Sequence, residues 1–498
     1  MENLRIISLA MVVMLLTACS GSDEAVTETP VTPNNNSKNV AVTFNTYVQS
    51  GNTQTRATYP SEAAIGSIDF TKLTETGFGV FTQHTSNTEW ASYTDKSTTP
   101  FNFMWNQQVT WDGTSAWTYS PVKYWPNDNN PADKQTPAAV GSQTHSYLQF
   151  FAYAPYQAVA MPSTGVNNTA AANDGIIAVS ANNANISNSY IHYRTSLEKP
   201  FGVDESVDLL WANQRDLYKM KDSGEGYVDG TVHFAFKHAL TKLDINVRAM
   251  VDSTASASSP AYSTEVDGNT RIYLDNVSIT TPTYYPEGKL KITSDNDTPV
   301  WAFDGITTAK TKFRFGSDID LSLANVNNSK DLDDVKYSMR YEAPNVPVNA
   351  SITDGNADGI DDNTGLTLVE TARAAFDEME TGVIKTEQQL AANYSSFMFC
   401  PSTETGAISV TAVYHVVTFD PNLTLNNPKF YSDVTNNITA TLGNTVKFEP
   451  NKQYKILLNL GITSVKFEVS VLDENGEWIL LSAVVKDWDL VTKEVDVE

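Results

Sequence analysis

Apolar and polar residues alternate with a period of two along much of the chain, which predicts short β-strands that each bury one face. The clearest run is residues 227–250, YVDGTVHFAFKHALTKLDINVRAM. Its alternating apolar positions are Val232, Phe234, Phe236, Leu243, Ile245 and Val247. The alternation breaks at residues 237–241, which predicts a bulge or a corner at which the chain changes sheet. We interpret the run as the closing strand pair of a first β-sandwich, with a second sandwich beginning after Met250.

Turn-punctuated strand patterns of the same kind continue through the rest of the chain. They indicate an all-β protein with two tandem sandwiches, residues 57–250 and residues 251–498. Helix-forming residues at 366–380 interrupt the second half and predict a short helical insertion there.

An earlier strand is predicted at residues 39–48, NVAVTFNTYV, where Val40, Val42, Phe44 and Val48 share one face.

Two histidines lie in the long alternating run. His233 and His238 are five positions apart, so they face opposite sides of a strand and cannot share a metal ion. All six histidines are dispersed, and the chain carries no serine-hydrolase, zinc-peptidase, P-loop or dinucleotide-binding motif. The sequence therefore predicts a protein that is not an enzyme.

The composition supports folded, extracellular β-structure. Of the 498 residues, 41% are hydrophobic and 18% are charged, which is enough apolar material for sizeable cores. The formal net charge is −25. A chain this acidic repels phosphate backbones and anionic lipid. Nucleic-acid partners are therefore disfavoured, and so is docking on an anionic membrane through a basic patch.

The first 19 residues have the pattern of a signal peptide. Arg5 precedes an apolar run, residues 6–16, that is too short to span a bilayer. The segment ends in Leu-Thr-Ala-Cys, which resembles a bacterial lipobox, so Cys19 is the predicted lipidation site with palmitate among its acyl chains. The alternative is a secreted protein with an incidental cysteine. The second cysteine, Cys400, lies in FMFCPS and is predicted to be a buried apolar residue.

Residues 20–56 are predicted to form a polar tether followed by the first strand. The strand leads into GNTQTRATYP, residues 51–60, an exposed loop of small polar residues. Such loops are preferred sites of proteolysis, and the bond between Arg56 and Ala57 is the candidate cut. The alternative is that Arg56 is an ordinary surface arginine.

Five of the nine tryptophans fall between residues 90 and 125: Trp90, Trp105, Trp111, Trp117 and Trp125. Exposed aromatic faces could stack on sugars. The rings alternate at strand spacing, however, and large aromatic residues dominate protein cores, so the core interpretation is favoured.

An acidic loop at residues 354–363, DGNADGIDDN, has the opening spacing of a calcium loop. Asp354, Asn356, Asp358 and Asp362 could converge on a hard cation, while Gly359 permits the sharp turn. The twelfth position is Gly365 rather than a glutamate, so the loop departs from the EF-hand. The predicted cofactor is a structural calcium ion, and the alternative is a solvated turn.

Several motifs together resemble one protein family. They are GVF at 79–81, WTYSPVKYWP at 117–126, LQFFAYAP at 148–155, VDLLWA at 207–212, KHALTKL at 237–243 and the closing segment at 447–471. Their content and order are similar to the fimbrillin-like family of Bacteroidales surface lipoproteins, the subunits of protease-assembled (type V) pili. The resemblance covers nearly the whole chain.

This resemblance implies transthyretin-like Greek-key sandwiches and a mechanism of assembly. In the family, an Arg-specific protease releases the first strand, and a strand from another subunit fills the groove. The expected partners are fimbrial subunits, the outer membrane through the lipid anchor, and surface ligands of host or bacterial cells. The final segment, residues 484–497, is expected either to pair within the second sandwich or to serve as a donor strand at the end of the chain. The expected role is that of a subunit of a cell-surface fimbrium that contributes to adhesion. The alternative is a monomeric outer-membrane lipoprotein that binds glycans through exposed aromatics.

Overall fold

The computed structural model describes the following residues: 40–49, 70–97, 99–126, 146–159, 168–169, 175–180, 185–195, 206–219, 227–228, 230–250, 268–306, 309–316, 334–339, 352–391, 396–402, 404–423, 430–462, 464–473 and 477–487. The predicted lipidation site Cys19 and the predicted cleavage site, Arg56 and Ala57, lie outside these ranges.

The described strands, in chain order, are β1 (Thr43–Gln49), β2 (Phe78–Ser86), β3 (Met104–Trp111), β4 (Trp117–Thr118), β5 (Tyr147–Ala154), β6 (Asn168–Thr169), β7 (Gly175–Ser180), β8 (Tyr190–Arg194), β9 (Leu210–Lys219), β10 (Tyr227–Val228), β11 (Thr231–His238), β12 (Thr241–Ala249), β13 (Thr270–Tyr284), β14 (Glu287–Lys291), β15 (Trp301–Ala302), β16 (Lys310–Gly316), β17 (Asp334–Ser338), β18 (Gln388–Gln389), β19 (Phe397–Phe399), β20 (Gly406–Phe419), β21 (Tyr431–Val446), β22 (Lys452–Leu460), β23 (Ser464–Leu472) and β24 (Trp478–Asp487). The described α-helices are α1 (Phe70–Thr76) and α2 (Leu368–Asp377). In the part of the chain that the structure describes, no helix is long and apolar enough to cross a membrane.

The described strands form four sheets, and the all-β prediction is confirmed. Sheet A has the order β1-β11-β9-β5-β2-β3-β4, with β10 also pairing with β9. Sheet B has the order β15-β14-β8-β7-β6. Sheet C has the order β18-β12-β22-β23-β24, with β19 also on β12, and sheet D has the order β17-β16-β13-β20-β21.

Sheet A is buried on both faces. One face carries a cluster that includes Phe44, Phe78, Phe150 and Phe234, together with Leu73 of α1. The other face packs against sheet B through a second aromatic cluster. Large aromatic side chains bury much apolar surface, so these two layers supply most of the stability of this part of the molecule.

Sheets C and D face each other across a third core of aliphatic and aromatic side chains. Helix α2 covers the outer face of sheet D, because its buried residues Leu368, Ala372 and Phe376 recur every four positions. The helix begins at a capping box in which Thr367 and Glu370 bond to each other's backbone N–H. The predicted short helical insertion is therefore confirmed.

The long alternating run contains the predicted corner. β11 belongs to sheet A and β12 to sheet C, so the chain changes sheet between His238 and Thr241. His233 is exposed and His238 is buried, as expected for opposite sides of a strand. The interpretation of the run as a closing pair of one sandwich is wrong, because β12 lies parallel to β22 and its inward residues fill the core between sheets C and D.

Sheet pairing also crosses residue 250 in the opposite direction. β14 lies after that residue, but it pairs antiparallel with β8 in sheet B. Glu287 of β14 accepts hydrogen bonds from His192 Nε2 at 2.7 Å and from Arg194 Nε at 2.8 Å. The predicted division of the chain at residue 250 therefore does not coincide with a division between sheets.

Candidate functional site

The first strand lies at the edge of sheet A. β1 pairs with β11 in parallel, in a register that runs from Thr43 opposite Thr231 to Gln49 opposite Lys237. A strand at the end of a sheet is bound by one ladder, so it can leave with a smaller loss of main-chain hydrogen bonds than a central strand of the same length.

The inward face of β1 is deeply buried. Val42, just before β1, and Phe44 and Val48 within it are 1%, 5% and 8% exposed, and Val40 is half-buried against the same cluster, which confirms the face predicted from alternation. Full burial of an apolar side chain contributes about 1.5–3 kcal/mol, so these three contribute roughly 5–9 kcal/mol to the attachment of β1. The same surface becomes an open apolar groove when β1 is absent.

Phe44 occupies an aromatic cage. Its ring lies 5.7 Å from Phe234 in a stacked arrangement and 5.4 Å from Tyr119. Edge-on contacts with Phe78 at 6.0 Å and Phe150 at 6.2 Å complete the cage. Aromatic pairs at these separations contribute energy beyond their buried area, so Phe44 is the anchor of the strand.

A second segment, residues 119–125, pairs with residues 40–42, which lead into β1, and we refer to it as the strap. Val42 N donates to Lys123 O at 2.9 Å, and Trp125 N donates to Val40 O at 2.9 Å. Tyr119 OH donates to Val42 O at 2.8 Å, and burial raises the pKa of this hydroxyl to about 12. The strap therefore holds residues 40–42, which lead into β1, whereas β1 itself pairs with β11 among the described residues.

The strap has an anchor that does not depend on β1. Trp125 is 2% exposed, and its indole Nε1 donates to Gly230 O at 3.1 Å. The same carbonyl accepts from Thr43 N at 2.8 Å. Gly230 has a φ of +103°, and a Cβ there would lie 2.8 Å from Val40 Cγ1, so this position requires glycine.

One inward position of β1 is polar. Thr46 is 6% exposed and lies between Phe44 and Val48 on the buried face. Its Oγ1 has no hydrogen-bond partner among the described residues. A buried hydroxyl without a partner costs about 1–3 kcal/mol, so the strand is held less tightly than the groove allows.

The tryptophans support the core interpretation. Trp90, Trp117 and Trp125 are 1%, 6% and 2% exposed. Trp105 and Trp111 are half-buried and pack against the clusters on the two faces of sheet A. These five rings therefore do not form an exposed platform for sugars.

The predicted calcium loop is closed by its own hydrogen bonds. The Asp354 carboxylate accepts from the backbone N of Asp358 and Gly359, both at 3.0 Å. Asn356 Nδ2 donates to Asp358 Oδ2, and Asp362 Oδ2 accepts from Gly355 N at 2.8 Å.

Nothing in this loop amounts to a preformed metal site. Among the described residues, no group of three or more His, Cys, Asp or Glu side chains is arranged to hold a metal ion. Calcium binding therefore stays a prediction.

β24, the last described strand, is an edge strand of sheet C. It pairs antiparallel with β23 along its length, with one register shift. Ile479, Leu480 and Leu481 on this strand are 49%, 54% and 41% exposed. Residues 488–498, which belong to the predicted donor region, lie outside the described residues.

Sequence reasoning missed the strap. Tyr119, Lys123 and Trp125 belong to the motif at 117–126, but their contacts with residues 40–42 join segments about 80 residues apart in sequence. The available signal was the high density of aromatic residues in 117–126, which indicates a packed segment without naming what it packs against.

Comparison with known proteins shows similarity to a curated fimbrium subunit. No protein-family model matches the chain. The fimbrium subunit Fim1C of Phocaeicola vulgatus is 28% identical over 270 residues, which is 53% of this chain. The match spans 58% of the length of that relative. This similarity to a fimbrium subunit confirms the resemblance to the fimbrillin-like family that the motifs indicate.

Two solved structures align over most of the chain at low identity. The fimbrial anchor protein Mfa2 of Porphyromonas gingivalis is 9% identical, with 90% of this chain and 98% of that chain covered and a TM-score of 0.27. A fimbrial assembly protein of Parabacteroides distasonis is 8% identical, with 89% and 99% covered and a TM-score of 0.30. Scores this low do not establish a shared topology.

Proposed function

We propose that this protein is a structural or accessory subunit of a cell-surface fimbrium that contributes to cell adhesion. In this proposal it is lipidated at Cys19, reaches the outer membrane, and assembles with other subunits after a cut between Arg56 and Ala57. The sequence similarity to a fimbrium subunit supports the structural role.

The observation that carries the assembly mechanism is the position of β1. It is an edge strand with an anchor residue, Phe44, in an aromatic cage, and its chain continues into the loop that contains Arg56. A cut in that loop turns an intramolecular strand into a separate peptide. The peptide then loses the high effective concentration that the covalent connection supplied.

Release of β1 leaves a groove that is costly to keep open. Apolar surface and the unpaired edge of β11 both meet water, and a new strand restores both contacts. Main-chain hydrogen bonds supply affinity in such strand addition, while alternate side chains supply specificity. Tight assembly with another subunit follows from the same contacts that hold β1.

The test is a limited digest of residues 20–498 with an Arg-specific protease, followed by mass spectrometry and native gel electrophoresis. We expect a cut after Arg56 and a ladder of oligomers, alone or with other fimbrial subunits. The control is Arg56→Ala, which removes the cut and is expected to stay monomeric. A product that is cut but remains monomeric with every subunit supplied would overturn the assembly mechanism.

Lipidation is tested separately in cells by labelling with a palmitate analogue. We expect label on the natural chain and none on Cys19→Ala. A labelled Cys19→Ala chain would show that Cys19 is not the attachment site.

A further inference from the structure

We infer that the groove under β1 binds a strand from another subunit more tightly than it binds β1 itself. The incoming strand carries valine or isoleucine at the position of Thr46 and an aromatic residue at the position of Phe44. This inference rests on the proposed strand exchange. It adds the sequence that the incoming strand must carry and the reason that the exchange is favourable.

Position 46 carries the argument. Of the four inward positions from Val42 to Val48, three are apolar, and the fourth places a hydroxyl in the interior. That hydroxyl has no hydrogen-bond partner among the described residues. Valine has the shape of threonine without the hydroxyl, so a strand with valine there fills the same space without the cost of an unpaired polar atom.

Position 44 fixes the register. The cage of Tyr119, Phe78, Phe150 and Phe234 accommodates a planar ring. A slip by one residue reverses the faces of a strand and would place Asn45 or Thr43 in the cage. An aromatic residue therefore marks one register, and the incoming strand carries the pattern Val-x-aromatic-x-Val-x-Val.

The direction of the incoming strand is also set. β11 receives β1 in parallel, and the strap receives it antiparallel through Lys123 O and Trp125 N. The strap is anchored to Gly230 through Trp125 Nε1, a bond that does not involve β1. The same main-chain groups can therefore bind the backbone of a second strand in the same direction.

The segment that follows residue 483 in this chain does not fit the pattern. Its aromatic residue is Trp488. With that ring in the cage, Lys486 takes the place of Val42, which is 1% exposed in the structure. A buried lysine without a partner is strongly unfavourable, so the favoured donor is a strand of a different subunit.

The experiment uses residues 20–498 with residues 52–58 replaced by the recognition site of a sequence-specific protease, so that it does not depend on a cut at Arg56. After the cut, fluorescent peptides compete with the first strand, and anisotropy reports their binding. The first peptide is the natural segment 39–49. Three variants of it carry Thr46→Val, Phe44→Ala or Thr43→Val, and a fifth peptide is the segment 484–494.

We expect the Thr46→Val peptide to bind about tenfold more tightly than the natural one. The Phe44→Ala peptide should bind at least about 30-fold more weakly. Thr43→Val makes the same chemical change at an exposed position whose hydroxyl is bonded to Gly230 O and Thr231 Oγ1, so no gain is expected. The 484–494 peptide should not compete.

Equal binding of the Thr46→Val and natural peptides, or an equal gain from Thr43→Val, would overturn the inference. If no peptide enters the groove, the proposed strand exchange itself fails. Hydrogen exchange on the uncut chain then decides the inference by itself. Slower exchange of β1 amides in Thr46→Val would support the unsatisfied hydroxyl, and unchanged exchange would overturn it.

Discussion

β1 and β24 are both edge strands, but they are held in different ways. β1 presents its apolar residues to the interior, around a single aromatic anchor, and is parallel to its neighbour. β24 is antiparallel to β23 and exposes Ile479, Leu480 and Leu481. How strongly an edge strand is attached and how accessible its apolar side chains are can therefore differ between two edges of the same protein. β1 buries its apolar side chains in the core, whereas β24 leaves apolar side chains accessible while it remains paired with β23.

The largest expected effect separates the two strands directly. Phe44→Ala empties the aromatic cage and should reduce the free energy of unfolding by about 3–5 kcal/mol. The matched change on the other edge, Leu480→Ala, removes a side chain that is 54% exposed and should cost within about 0.5 kcal/mol. Urea unfolding measures both. Similar losses of unfolding free energy in the two variants would contradict the difference between β1 and β24.

Acid is expected to weaken the half of the molecule that carries β1. Hydrogen bonds from His192 and then Arg194 lower the pKa of Glu287 to about 2, and this residue ties β14 to β8 beneath sheet A. Because the folded pKa is depressed, the stabilisation is fully present above the ordinary pKa of a glutamate and is lost as the pH falls towards 2. The Glu287 side chain is 16% exposed and still meets solvent, so we expect a discounted contribution of about 1–2 kcal/mol.

Glu287→Gln tests this at two pH values. The variant should be less stable than the natural chain at pH 7, and the two should converge near pH 2. The exposed Glu89→Gln serves as the control and should change stability little at either pH. A difference between Glu287→Gln and the natural chain that persists at low pH would show that the loss does not come from the charge.

The strap should contribute a smaller amount, localised at the start of β1. Trp125→Phe keeps most of the apolar ring and removes the hydrogen bond to Gly230 O, at a cost of about 1 kcal/mol. Hydrogen exchange should increase at residues 40–43 while β23 and β24 are unaffected. Equal acceleration on β24 would mean that the indole stabilises the whole fold rather than one edge.

The smallest effect is expected far from both edges. Without calcium, Asp358→Ala should change the thermal midpoint little, because the loop is exposed. If the loop binds calcium, added calcium should raise the midpoint of the natural chain but not that of Asp358→Ala. Identical responses of the two chains to calcium would leave the loop as a solvated turn.

Local patterns were sufficient for the strands, the short helix and the inward face of β1. Alternation identified Val42, Phe44 and Val48 as one face because the pleat of a strand is a local property. The break at residues 237–241 predicts a bulge or a corner on the same local grounds, and the structure has a corner there. Pairing partners could not be found in this way, since β12 and β22 are about 200 residues apart and many strands carry compatible patterns.

The features of the candidate site also separate into local ones, which the sequence shows, and tertiary ones, which it does not. The sequence by itself determined that residues 39–48 form an amphipathic strand followed by a polar loop with an arginine, because side-chain chemistry and spacing are written along the chain. Only the tertiary structure decided that this strand lies at an edge, parallel to β11 and beside the strap, with no partner for the Thr46 hydroxyl among the described residues. Edge position and hydrogen-bond satisfaction depend on which distant groups arrive at a site, and packing of the whole chain determines those groups.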